Sequence, residues 1–292
     1  MGCATMDHIF GLPEIPRQPL KYRAREFTAV GGGNAATAAV AIARLGGRPH
    51  LIARLGDDPI GDAILRELAS RGVDTSLVHR FAGCASHISS ILVDDSGDRL
   101  IVSYFDPKIS HDPAWLPPIP PGVGAVLADA HWPAGVLELF RRAAAAGIPT
   151  VLDADMPVCA PELIRASTVA AFSAPGLDAA TGVAGISDGL RAAARIGPGT
   201  MLATDGANGV FWLDGGELRH QPAHPVHAVD TLGAGDVFHG ALALALAEGQ
   251  TLPAAVAFAN AAAAIKVTRF GGRAGVPTRS EVEQLPARGV AQ

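Results

Sequence analysis

The chain has 292 residues, of which 49% are hydrophobic and 17% charged, with a formal net charge of −5. That length and apolar content suit one compact domain with a sizeable core and exclude a disordered chain. The acidic balance, without any lysine- or arginine-rich run, argues against nucleic acid or an anionic membrane surface as a partner. Cys3, Cys84 and Cys159 are odd in number and widely spaced, with no CxxC pair. They fit reduced thiols of a cytoplasmic protein, not a disulfide framework or a metal site. The apolar runs at 241–247 and 254–265 are too short to span a bilayer, and no basic-then-apolar signal opens the chain.

In chain order, the opening Gly2-Cys3-Ala4-Thr5-Met6-Asp7 has the form of a strand end, whose beginning is either short here or upstream. Residues 22–30 alternate roughly, and Gly31-Gly32-Gly33-Asn34 then leads into an alanine-rich helix over 34–45. A second helix is predicted over 59–70, capped by Asp57 or Asp58, with Ile60, Ile64, Leu65 and Leu68 on one face. Residues 86–104 alternate again, split by the turn signal Asp94-Asp95-Ser96-Gly97. Such ribbons do not fit between the helices of a doubly wound sheet. They are expected to project as a small β-sheet lid, formed by about 8–30 and 84–108. The proline-rich stretch 112–122 is a surface connection.

From about residue 123 short apolar runs alternate with helical stretches. Strands are predicted at 125–128, 150–153, 169–172 and 200–203, with helices at 134–146 and 187–196. This is the pattern of an α/β, doubly wound, mostly parallel sheet, making 1–292 one domain. Its site is expected beyond the C-terminal ends of the strands.

The stretch 229–238, VDTLGAGDVF, carries the most chemistry. Glycines 233 and 235 allow a tight turn and uncover backbone N–H groups, which share the positive end of the following helix. That combination suits phosphate, or charge developing on a transferring phosphoryl group. Asp236 at the same spot can take a proton from an attacking hydroxyl; on this stretch alone it could equally be a helix cap. The upstream Gly31–Gly33 run is neither GxGxxG nor a Walker loop, since no GK[ST] occurs.

Taken together, these segments resemble the ribokinase-like (phosphofructokinase B) family of carbohydrate kinases over nearly the whole chain. The matching pieces are Asp7, Gly32-Gly33 with the alanine-rich helix ending Leu45-Gly46, RLGDDPIG at 54–61, GVD at 72–74, TDGANG at 204–209, DTLGAGD at 230–236 and ANAAAAIKVTRFGGRAG at 259–275. The resemblance implies a transferase using ATP and Mg2+ on a sugar hydroxyl. Asp236 would be the general base, and the amides of Gly233, Ala234 and Gly235 its anion hole. Asp7, Gly32, Gly33 and Asn34 would hold the sugar. Thr204, Gly206 and Gly209 would cover the nucleotide phosphates, with Asn260 beside the adenine. Asp230 matches a residue that holds a monovalent cation, K+, in many members. The lid often forms a homodimer interface in the family.

The chain also departs from that pattern. Thr37 stands where ribokinases carry a sugar-binding asparagine. The family's NxxE segment reads Ser173-Ala174-Pro175-Gly176, and the DxNxR-like segment reads Asp153-Ala154-Asp155-Met156-Pro157. Several stretches are most similar to sulfofructose kinases: Met6-Asp7, Lys21, 31–39, 172–177 and 235–243. By that resemblance Lys21, Ser103 and His131 would line the far end of the sugar, where two sulfonate-reading positions have become Ser103 and His131. Sulfofructose or another anionic ketose is then one expectation. The alternative is a catalytically silent sugar- or nucleotide-binding protein of the same fold, which an intact Asp236 and GAG segment oppose. A dinucleotide-dependent oxidoreductase lacks its fingerprint.

Overall fold

The computed structural model describes residues 1–154 and 159–286. Its elements are β1 (Thr5–Gly11), β2 (Glu26–Gly32), α1 (Asn34–Arg44), β3 (Arg54–Gly56), α2 (Pro59–Ser70), β4 (His79–Phe81), β5 (Ile88–Val93), β6 (Arg99–Tyr104), β7 (Val126–Asp129), α3 (Pro133–Ala145), β8 (Thr150–Asp153), α4 (Pro161–Ala166), β9 (Val169–Ser173), α5 (Ala174–Thr181), α6 (Ile186–Ala193), β10 (Thr200–Thr204), β11 (Val210–Asp214), β12 (Glu217–Gln221), α7 (Ala234–Ala247), α8 (Leu252–Val267) and α9 (Arg279–Glu283).

The main sheet has the order β12-β11-β10-β9-β8-β7. Strands β7 to β10 are parallel, while β11 and β12 add an antiparallel hairpin at one edge. Successive side chains of a strand point to opposite faces, and here both faces are buried. Ala170 and Phe172 of β9 join one core with Trp132, Phe140 and Leu190. Val169 and Ala171 join a second with Trp212, Val237 and Leu242. Helices α3 to α6 cover the first face, and α1, α7 and α8 the second. Strands covered twice read as continuous apolar runs, which is why these segments were legible.

A separate four-stranded sheet, β2-β1-β5-β6, is the lid. Its register sets Asp7 beside Ser89 and Ser89 beside Ser103. A third core of Ala36, Val40, Leu55, Ile64 and Leu68 packs α1 and α2 beneath it.

Several boundaries differ from expectation. The opening residues are not a strand end: β1 starts at Thr5 and runs on to Gly11, with Asp7 inside it. Before it, the Met1 carbonyl accepts from the Asp129 N–H, and the Gly2 N–H donates to Ile52, so the chain start bridges β7 and the β3 region. The first ribbon begins at Glu26 instead of residue 22. Of the two candidate caps, Asp58 accepts from the Gly61 N–H at 2.8 Å. The β11–β12 hairpin was not anticipated; Gly215 and Gly216 take φ of 58° and 88° in its turn, the positive pair a tight two-residue loop needs. No helix among the described residues is long and apolar enough to cross a membrane.

Candidate active site

The site begins with two carboxylates at the C-terminal ends of neighbouring parallel strands. Asp129 ends β7 and Asp153 ends β8, paired in register, and both are buried. Asp129 Oδ2 accepts from the N–H groups of Cys3 at 2.6 Å and Ala35 at 3.3 Å, and Oδ1 from that of His131 at 3.1 Å. One carboxylate therefore fixes the chain start, the first turn of α1 and the His131 backbone. Asp153 Oδ2 receives the Asn34 side-chain amide at 3.4 Å and lies 3.2 Å from His239 Nδ1.

Above this floor the chain enters α7. Gly233 takes the left-handed conformation at φ 76°, a turn that an L side chain would strain. Asp236 follows in the first helical turn. Burial, followed by the negative charge of Asp153, pushes its carboxyl up to about 7; the cationic sides of His239 and Arg273 oppose the shift, and Asp129 adds to it. A carboxylate so poised is half-protonated at neutral pH and basic enough to take a hydroxyl proton. The three amides expected to form the anion hole are not equivalent. That of Ala234 turns back onto the Thr231 carbonyl at 3.2 Å. A Cβ built on Gly235 meets nothing within 4 Å, so that side of the turn is open.

Across the cleft, Asp7 accepts from the Thr5 hydroxyl at 3.1 Å and from the Ser89 side chain. Ser89 in turn contacts the Ser103 hydroxyl at 3.0 Å. Burial raises the Asp7 carboxyl above the usual range despite these donors. Gly32 is pressed against it, since a Cβ there would sit 2.0 Å from Asp7 Oδ2. Gly33, at φ 91°, caps α1 against the Cys3 carbonyl, leaving no room for a side chain. Arg273, 5% exposed, comes from the far end of the chain to donate to Thr37 Oγ1 at 3.2 Å, Glu67 Oε2 at 2.7 Å and the Gly32 carbonyl. His131 is half-buried with its ring stacked on Phe105 at 5.5 Å. Lys21 is exposed in the loop between β1 and β2.

The expected nucleotide residues lie along the next strand ends. Thr204 ends β10, and its hydroxyl donates to the Phe172 carbonyl at 3.4 Å. Gly206 and Gly209 bound a single helical turn, both with positive φ, and a Cβ on Gly209 would lie 2.2 Å from the Gln221 carbonyl. Asn260 is buried in α8, where its amide donates to the Pro222 carbonyl at 2.9 Å. It therefore ties the chain after β12 to α8. Ser173 caps α5 by accepting from the Gly176 N–H at 3.1 Å, so the segment replacing NxxE presents no carboxylate. No cluster of three or more metal-ligating side chains occurs among the described residues. A cleft of about 850 Å³ is lined by residues such as Pro49, Gly122 and Leu244 and by none of the expected site residues; it lies at the other end of β7 and α7.

A family model for pfkB family carbohydrate kinases matches residues 1–279. The chain belongs to that family. It is 33% identical over 295 residues to a ribokinase of Bacillus subtilis, with 98% of this chain and 97% of the relative covered. To a fructoselysine 6-kinase of Escherichia coli it is 31% identical over 253 residues, covering 83% of this chain and 92% of the relative. A solved Agrobacterium tumefaciens structure, provisionally assigned to the ribokinases, superposes with a TM-score of 0.86 at 38% identity, covering 97% and 94% of the two chains.

Within this carbohydrate kinase, four residues of the cluster were not legible as such in the sequence. Arg273 sits in the RFGGRAG stretch that marked the family, yet a lone arginine gives no sign of where it points. His239 follows Asp236 by three positions, and that spacing places both on one helix face. Asp129 and Ser89 gave no motif at all; the neighbours of Ser89 come from register, which needs the sheet, and the donors to Asp129 include the chain start and the first turn of α1. Asp155–Pro157 of the DxNxR-like segment lie outside the described residues.

Proposed function

We propose that this chain transfers the γ-phosphoryl group of ATP to a hydroxyl of a sugar or sugar derivative, with Asp236 as the base. The observation that carries the reading is the Asp236 carboxyl, raised to about 7 beside a left-handed glycine turn at a helix start. The sugar oxygen attacks the γ-phosphorus as its proton passes to Asp236, and the bond from the γ-phosphorus to the bridging oxygen breaks to release ADP. The Gly233 and Gly235 amides and the α7 dipole would take up the charge that develops between them. Thr204, Gly206 and Gly209 would face the phosphates, with Asn260 shaping the wall beside the base. Mg2+ would enter as the counter-ion of ATP, held mainly by phosphate oxygens and water, which suits a site without a protein cage. Free thiols at Cys3, Cys84 and Cys159 fit a cytoplasmic setting.

For the sugar, Asp7 and Asn34 would fix hydroxyls in the middle of the molecule. Lys21, Ser103 and His131 would meet its far end, where a cation favours an anionic or strongly polar group, as in sulfofructose or another anionic ketose. The ribokinase and fructoselysine 6-kinase relatives widen the field to pentoses and substituted ketoses. Release of ADP should therefore be followed over a panel of neutral ketoses, pentoses and sugar acids. One sugar turned over by the wild type and not by Asp236→Asn supports the proposal. Sugar and ATP binding without turnover of any sugar would instead mark a silent binding protein.

A further inference from the structure

Asp230 is the residue at which the family resemblance implies a bound K+. Its oxygens in this chain are already taken. Oδ1 accepts from the Leu232 N–H at 2.9 Å and faces Arg99 Nη2 at 3.5 Å. Oδ2 accepts from the N–H groups of Gly271 at 3.1 Å and Gly272 at 3.2 Å, and lies 3.2 Å from Lys266 Nζ. The same Nζ donates to the Asp230 main-chain carbonyl at 2.8 Å. Lys266 has no exposed surface. A monovalent ion bound by this carboxylate and carbonyl would have to share their space with the ammonium. It would also be a third cation, beside Lys266 and Arg99, against one carboxylate. The site does not fit the ion.

We infer that Lys266 is a built-in cation for this kinase, so that the loop feeding the anion hole needs no monovalent metal ion. A fully buried ammonium is costly unless paired and hydrogen-bonded, and Lys266 has both a carboxylate and a carbonyl. It stands in the last turn of α8, where the negative end of the helix favours it. From there it acts on the segment just before Gly233. The N–H groups of Val229 and Asp230 reach back to the Val267 carbonyl at 2.7 and 3.1 Å. The ammonium, these two amides and the Gly271–Gly272 turn thus pin the 229–232 segment to the end of α8. Burial lowers the Lys266 ammonium below its usual range while Asp230 holds it up, and the donors of Leu232 and Gly272, with Lys266, keep the buried Asp230 carboxyl low.

The inference rests on the kinase reading, but its test does not need the sugar. Thermal unfolding and ADP binding by calorimetry would be compared in KCl and in choline chloride at equal ionic strength. For the wild type the midpoints should agree within about 1 °C and the ADP affinities within about twofold. Lys266→Ala opens the position, so its midpoint in choline should fall and KCl should raise it saturably by about 2 °C or more. Lys266→Met fills the space without charge, and KCl should not rescue it. A wild type stabilised by KCl over choline would overturn the inference, as would a folded Lys266→Ala indifferent to KCl. Should Lys266→Ala not fold, the wild-type comparison decides. Failure to bind ADP in either salt counts against the nucleotide reading alone, because the unfolding comparison stands without it.

Discussion

Two residues separate what the site needs for chemistry from what it needs for stability. Asp236 must be ionised to accept a proton, so with a carboxyl near 7 the rate should rise with pH through about 7 and level above it. Asp236→Asn should lower kcat by roughly 10²-fold or more while sugar and ATP binding change little. The folded carboxyl holds its proton to a higher pH than the unfolded chain, whose aspartates titrate near about 3.9. Its stability contribution is thus complete below that value and is lost as pH rises towards 7. Asp236→Asn should therefore melt higher than wild type at pH 8 and level with it near pH 4. Calorimetry at the two pH values checks the sign. Gly235 makes the complementary case: alanine is favoured in a helix over glycine by up to about 1 kcal/mol, and its Cβ meets nothing in the protein. Gly235→Ala should hold or raise the melting temperature and still cut turnover, because the methyl enters space kept for phosphate. Equal turnover would place the phosphate elsewhere.

At the scale of elements, the sequence was least clear in the lid sheet. Lys21 lies in the β1–β2 loop, and its contact would be present equally in ground and transition states. Lys21→Ala should then raise KM for an anionic sugar far more than it lowers kcat. A neutral sugar as best substrate, with KM unmoved in the variant, would remove Lys21 from the site. Buried strands such as Thr150–Asp153 announced themselves by apolar runs bounded by helices, and Pro59–Ser70 by its cap and its apolar face. The lid strands are covered on one side only near their root, and β6 is exposed throughout, so alternation there blurs into loop. The GAG turn was legible because glycine at positive φ leaves a mark in the residue itself. The Asp7–Ser89–Ser103 row was not, since Asp7 and Ser89 become neighbours only through pairing of strands some 80 positions apart.

For the whole molecule, the same register that sets Asp7, Ser89 and Ser103 on one face of the lid sets apolar side chains on the other. Phe27, Leu100, Val102 and Tyr104 belong to that second face, and they are 58%, 37%, 62% and 47% exposed. An apolar sheet face of this kind is a liability in a monomer. We expect a C2 homodimer with the two lids packed face to face. Light scattering at micromolar concentration should give twice the chain mass, and Val102→Asp should halve it. A strict wild-type monomer would exclude the assembly. The placement of Arg273 bears on how the protein is made. Its bonds to Thr37, Glu67 and Gly32 span 236, 206 and 241 positions, so the side of the cleft around Gly32 closes only after almost all of the chain has been synthesised. A nascent chain halted just after α8 would already carry Asp236 and its glycine turn, yet the Gly32 carbonyl and the Glu67 carboxylate would still lack their guanidinium. If that side of the cleft holds the sugar, competence for phosphoryl transfer would be withheld until translation is nearly over, however early the main sheet condenses.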